Sequence, residues 1–131
     1  MVTMPLEKTL FALILIGYVI VGSLFAIQTP DWQAPDEPAH YNYVAQIATH
    51  GCCPMIEDGD WQSDYQQELT TVRFAPDSLE RLDTIQYEDH QPPLYYLLSS
   101  VVYTLSNGSL TAMRLLSVLL GAIVILLAYT I

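Results

Sequence analysis

Residues 10–27 read LFALILIGYVIVGSLFAI, eighteen positions of apolar residues and glycine broken only by Tyr18 and Ser23. At 1.5 Å rise per residue this run makes a helix of about 27 Å, close to the hydrocarbon thickness of a bilayer. A cleaved signal peptide is the rival reading. The run is longer than a usual signal core, the segment before it carries Glu7 against Lys8 and so has no net positive charge, and no clear small-residue cleavage site follows. The expectation is a retained transmembrane helix.

The rest of the chain is divided the same way. Of fourteen acids in 131 residues, all but Glu7 fall within residues 28–91, where the cations are Arg73 and Arg81; after His90 the only charged side chain is Arg114. An acidic centre between apolar ends does not describe a soluble globule, because the apolar runs have no core large enough to bury them. The acidity also argues against a nucleic-acid partner, since phosphate binding needs the opposite sign. Cys52 and Cys53 are adjacent, which permits no disulfide framework, and they read as two small half-buried side chains.

Two further apolar runs follow the centre. The first, PPLYYLLSSVVYTL, opens on Pro92 and Pro93, which a first helical turn tolerates because its N–H groups are unpaired anyway. Its fourteen residues to Leu105 are short for a crossing, so the expected span, 92–107, crosses only if residues 106–109 lie within the opposite headgroup region; Asn107-Gly108 is a turn signal. The second, 110–131, carries Arg114 near its start, and a guanidinium belongs near a membrane face. The fold class is therefore all-α integral membrane: three transmembrane helices (10–27, 92–107, 110–131) and a long loop, 28–91, containing short juxtamembrane helices. Three crossings put Lys8 and Arg114 on one side, which the positive-inside tendency makes cytoplasmic, with the N-terminus; the acidic loop is then extracytoplasmic. The expected location is the inner (plasma) membrane, multi-pass. On this threading Asn107-Gly108-Ser109, although it matches a glycosylation acceptor, faces the cytoplasm and reads as a turn.

Within the loop, residues 36–50 are expected to be helical. Tyr41, Val44, Ala45, Ile47 and Ala48 form one side, Asn42, Gln46 and Thr49 the other, and Gly51 is the stop. Residues 76–86 place Leu79, Leu82 and Ile85 at helical spacing; 53–74 reads as irregular. Asp36 stands just past the first span and His90 just before the second apolar run, so topology brings both to one face, with Glu37, His40, Glu88 and Asp89. Carboxylates and imidazoles crowded at an interface supply a general base. Each has a plainer reading: Asp36 as a helix N-cap, His40 as its hydrogen-bonded partner four residues on, and Tyr41, Tyr43, Tyr87, Tyr95 and Tyr96 as an interfacial aromatic belt. Metal ligation is not the primary expectation; a divalent cation on Glu88, Asp89 and His90 is the alternative.

The order of an N-terminal span, then PDEPAHYNYV, a loop, HQPPLYYLL, a short turn and MRLLSVLLGAIVILLAY resembles the start of the integral membrane glycosyltransferases that use polyprenyl-phosphate sugars. It is most similar to the bacterial group related to protein O-mannosyltransferases and to lipid A and rhizobial lipopolysaccharide glycosyltransferases. The resemblance covers residues 10–131. It implies an enzyme of the C-type membrane fold, moving a sugar from a polyprenyl-phosphate donor to a hydroxyl of a lipid, glycan or protein, with Asp36 as catalytic base and Glu37 as its acidic neighbour. His40, His90 and Tyr95 are the accompanying substrate-binding candidates, although Gln91 interrupts the family's His-Pro-Pro-Leu order at His90. The partners implied are the donor, the acceptor and the bilayer. The family's later helices hold the lipid phosphate, so the chain reads as the beginning of a larger polytopic protein, inactive alone. The competing expectation is a non-catalytic membrane protein whose acidic loop binds a cation or a partner.

Overall fold

The computed structural model describes residues 5–34 and 36–131, and among these the regular structure is helical throughout. The helices are α1 (Leu6–Gln28), α2 (Glu37–His50), α3 (Ser63–Thr71), a 3-10 segment (Pro76–Thr84), α4 (Leu94–Leu105) and α5 (Leu110–Thr130). The chain divides into two compact units. One holds α1 and α5; the other is Pro30–Leu110.

The first unit is an antiparallel pair of apolar helices. Near one end the Arg114 guanidinium donates from Nη1 to the carbonyls of Ala26 and Thr29, at 3.3 and 2.7 Å. Those groups lie at the carbonyl-rich C-terminus of α1, where a cation offsets the helix dipole. Near the other end Tyr129 stacks on Phe11 at 3.9 Å and donates to Glu7. Between them the helices approach at glycine. A Cβ on Gly22 would sit 3.1 Å from Val118, and one on Gly121 would run into the Tyr18 hydroxyl. Small residues at such crossings let two backbones close up where lipid offers no hydrophobic drive to do so.

Both α1 and α5 are long and apolar enough to cross a membrane; α4 is not. At 12 residues α4 reaches about 18 Å, short of the roughly 30 Å hydrocarbon core. The expected span over 92–107 is realised only as this short helix. The expectation that Lys8 and Arg114 share a side is also corrected: Lys8 lies in the first turns of α1, whereas Arg114 binds its last carbonyls. The sequence argument needed α4 to cross in order to make α1 and α5 parallel, and they are antiparallel.

The second unit is built around α2. It packs along α4, where the Tyr43 and Tyr96 rings lie 4.1 Å apart, and the Tyr43 hydroxyl donates to the Gln91 carbonyl at 3.1 Å. On another side Ala39 joins Tyr65, Leu69, Ile85 and Tyr87 in the core, with Phe74, Leu79 and Leu82 against it. The sequence divided α2 into an apolar and a polar side, but its Asn42 is buried. Its amide donates to the carbonyls of Leu82 and Ile85 at 2.7 and 2.8 Å, closing the end of the 3-10 segment. Carbonyls at such an end have no helical partner, and a buried side-chain donor satisfies them. Helix α3, inside the stretch read as irregular, turns Tyr65 and Leu69 into the core; the Tyr65 hydroxyl reaches the Ser78 carbonyl at 2.6 Å.

Two turns bear out the reading of glycine and of Asn-Gly. Gly51 ends α2 at φ +93°, and Asn107 and Gly108 both take positive φ. Gly108 also receives the Tyr41 hydroxyl on its carbonyl at 3.0 Å, and a side chain there would strike that hydroxyl. Cys52 and Cys53, expected half-buried, are exposed.

Candidate functional site

Asp36 lies at the mouth of α2. It takes the left-handed region at φ +60°, which Asp tolerates better than most residues, and its carbonyl accepts the first helical bond, from the His40 N–H at 3.1 Å. Its side chain makes no cap. Instead Oδ1 accepts a hydrogen bond of 2.5 Å from the Tyr87 hydroxyl, and that hydroxyl accepts one from the Gln66 amide at 2.9 Å. The capping reading of Asp36 is thereby overturned. A left-handed residue at this position turns the carboxylate away from the helix N–H groups and toward α3 and Tyr87.

Tyr87 is buried. Burial first, and then the bond to Asp36, hold its phenol above the ordinary tyrosine range. It is therefore a proton donor throughout the neutral range and fixes one carboxylate oxygen. Asp36 itself is exposed and borders a cleft of about 480 Å³. The other walls are Trp32, Gln33 and Ala34 before it, the Ser63, Gln66, Gln67 and Thr70 face of α3, and Phe74, Pro38 and Ile85.

The remaining candidates go to different places. Glu37 does not pair with Asp36 as a second acid over the cleft: its Oε2 accepts the Trp32 backbone N–H at 2.9 Å, holding the turn in which Trp32 has φ +66°. The His40 ring does not bond the Asp36 carboxylate either. Its Nδ1 shares a 2.8 Å hydrogen bond with the Tyr96 hydroxyl and lies 3.9 Å from Glu88. His90 is exposed, with Nδ1 2.8 Å from the Tyr87 carbonyl, so it braces the segment that carries Tyr87. Tyr95 is exposed on α4, edge-on to Tyr96.

Glu88 and Asp89 are both buried and separately engaged. Gln91 donates to Glu88 at 2.9 Å, and the Gln46 amide donates to both oxygens of Asp89, the shorter at 2.9 Å. Burial pushes the Asp89 carboxyl above the ordinary range, against the Gln46 bonds that pull it down. Among the described residues no group of three His, Cys, Asp or Glu side chains is placed to hold a metal ion. Tyr43, Tyr87 and Tyr96 are buried and belong to the core, not to an aromatic belt.

The site residues that sequence reasoning missed are those of the cleft. Ser63, Gln66, Gln67 and Thr70 recur at i, i+3, i+4 and i+7, opposite Tyr65 and Leu69, and that amphipathic spacing is present in QSDYQQELTT. Tyr87 gave no signal, because its partner is fifty-one positions away.

Comparison with protein-family models, curated proteins and solved structures gives no match. What fold and site define is an all-helical chain with two helices able to span a membrane and, in its second unit, an acid-bordered cleft.

Proposed function

We propose that this chain is the N-terminal part of a membrane glycosyltransferase, with Asp36 as the general base that activates an acceptor hydroxyl of a lipid, glycan or protein. The observation that carries the reading is the Asp36 carboxylate itself, exposed at a cleft and fixed on one oxygen by the buried Tyr87 hydroxyl. A base must present a free lone pair in a fixed direction, and a carboxylate held on Oδ1 offers Oδ2. In the step that follows, Asp36 takes the hydroxyl proton and the acceptor oxygen bonds to the anomeric carbon of a polyprenyl-phosphate-linked sugar. The bond from that carbon to phosphate breaks, and the lipid phosphate leaves with the electron pair. The donor class and the outward orientation of the loop come from the sequence resemblance.

The antiparallel pairing of α1 and α5 supports two crossings instead of three. Pro30–Leu110 is then inserted on one face, with α4 beside α2 on that same face. Asn107, exposed in its turn, lies with the acidic loop on this topology, not across the membrane from it.

The test is Asp36→Asn in the full-length protein in proteoliposomes, with sugar transfer from a polyprenyl-phosphate sugar as readout. General-base catalysis contributes roughly 10²–10⁴-fold, so transfer falls by at least a hundredfold while membrane insertion is unchanged. Transfer at the wild-type rate removes the assignment.

A further inference from the structure

The walls of the cleft specify a class of ligand. Five of its side chains are neutral hydrogen-bonding groups: the amides of Gln33, Gln66 and Gln67 and the hydroxyls of Ser63 and Thr70. Two, Trp32 and Phe74, are aromatic. Among the described residues Asp36 is the only charged side chain lining it, and no cation does. The volume of about 480 Å³ falls inside the roughly 300–1,000 Å³ of small-molecule sites.

A sugar ring has hydroxyls around its edge and C–H groups on its faces. Amides, which donate and accept, match the edge, and aromatic rings match the faces. An anion meets the opposite: a carboxylate with no guanidinium or ammonium beside it, in a segment rich in further acids. Gln66 is already turned toward the Tyr87–Asp36 pair, so one amide joins the recognition face to the base. Gln33 is tied at 2.7 Å to the Arg73 carbonyl, which fixes the near wall.

We propose that this cleft binds an uncharged, hydroxyl-rich saccharide as the acceptor and rejects acceptors carrying phosphate or carboxylate on the ring it holds. The acceptor role rests on the glycosyltransferase reading; the binding preference rests on the lining alone. Gln67, exposed on α3, is a specificity residue, and Trp32 is the stacking residue.

The experiment uses the full chain in nanodiscs of zwitterionic lipid and saturation-transfer NMR. Methyl glucoside and methyl mannoside are the neutral probes; methyl glucuronide and glucose 6-phosphate are the anionic ones. Expected are saturation of the neutral glycosides, at least tenfold weaker binding of both anions, and at least fivefold weaker neutral binding in Gln67→Ala and in Trp32→Leu. In Asp36→Asn the anions gain relative to the neutral glycosides. Equal saturation by neutral and anionic probes overturns the proposal. So does saturation by none, or neutral binding that survives both Gln67→Ala and Trp32→Leu. Failure of the base assignment is separately visible: Asp36→Asn then transfers sugar at the wild-type rate whatever the glycosides do.

Discussion

The Tyr87 hydroxyl and the Asp36 carboxylate meet at 2.5 Å across fifty-one positions of sequence, joining the first residues of α2 to the segment just before α4. The pair makes Asp36 a positioned carboxylate instead of a helix cap, and the base assignment rests on it. Tyr87 is held from behind by Gln66 and from beside by the Trp61 ring at 4.7 Å, so the hydroxyl is directed, not merely near.

Tyr87→Phe separates position from chemistry. Removing one hydrogen bond of this kind lowers stability by about 1 kcal/mol. With Asp36 no longer fixed, kcat for transfer falls roughly tenfold, the equivalent of about 1.4 kcal/mol, while KM for the donor stays within twofold. Equal kcat in Tyr87→Phe and wild type, measured in the same proteoliposomes, refutes the positioning role.

The left-handed backbone at Asp36 sets which substitutions fold. Asn and Gly accept φ +60° readily, so Asp36→Asn and Asp36→Gly keep α2 in place. A β-branched residue in this region is strained by roughly 1–2 kcal/mol, so Asp36→Val melts at lower temperature than either. Thermal unfolding followed by circular dichroism ranks the three, and Val as stable as Asn contradicts the geometry.

Asn42 and Leu69 test the core of the second unit. Asn42→Ala strands the Leu82 and Ile85 carbonyls and costs about 1–3 kcal/mol. Leu69→Ala empties a fully buried position and costs about 2–5 kcal/mol. Both are read as shifts in denaturation midpoint, and an unchanged midpoint in either rejects the packing described.

Asp89 gives a pH dependence whose sign is fixed. Its carboxyl is raised in the folded state, so the neutral form is favoured there and stability is lost as pH climbs through the folded pKa. Stability of the wild type minus that of Asp89→Asn therefore decreases from pH 4 toward pH 7. A difference that is flat over that interval and falls only as pH drops below about 4 means that the Gln46 bonds outweigh burial.

The close approach of α1 and α5 is tested at Gly121. Gly121→Leu forces the helices apart at Tyr18, breaking the pair that Arg114 and Tyr129 close at its two ends. With α1 and α5 expressed as separate chains and one of them tagged, the wild-type pair co-purifies in detergent and the variant does not. A variant that co-purifies as well as wild type argues against the antiparallel contact.

The sequence by itself determined that the chain is helical, that 10–27 and 110–131 are long apolar helices, and that Gly51 and Asn107-Gly108 end helices. These follow from local quantities: run length, side-chain polarity and the steric freedom of glycine. Helix α3 lies in the stretch 53–74 that read as irregular, because only the packing of Tyr65 and Leu69 into the core marks them as its inward pair. Only the tertiary structure decided the rest. Whether α5 lies parallel or antiparallel to α1 depends on where Arg114 finds acceptors, and the carbonyls it uses are more than eighty positions away. Asn42 looked like solvent-facing polarity because a sequence does not show the two carbonyls that draw its amide inward. The Asp36 carboxylate turned to Tyr87 for the same reason: a left-handed φ and a distant hydroxyl, neither encoded nearby, outweighed the capping preference that the residues DEPAH carry on their own.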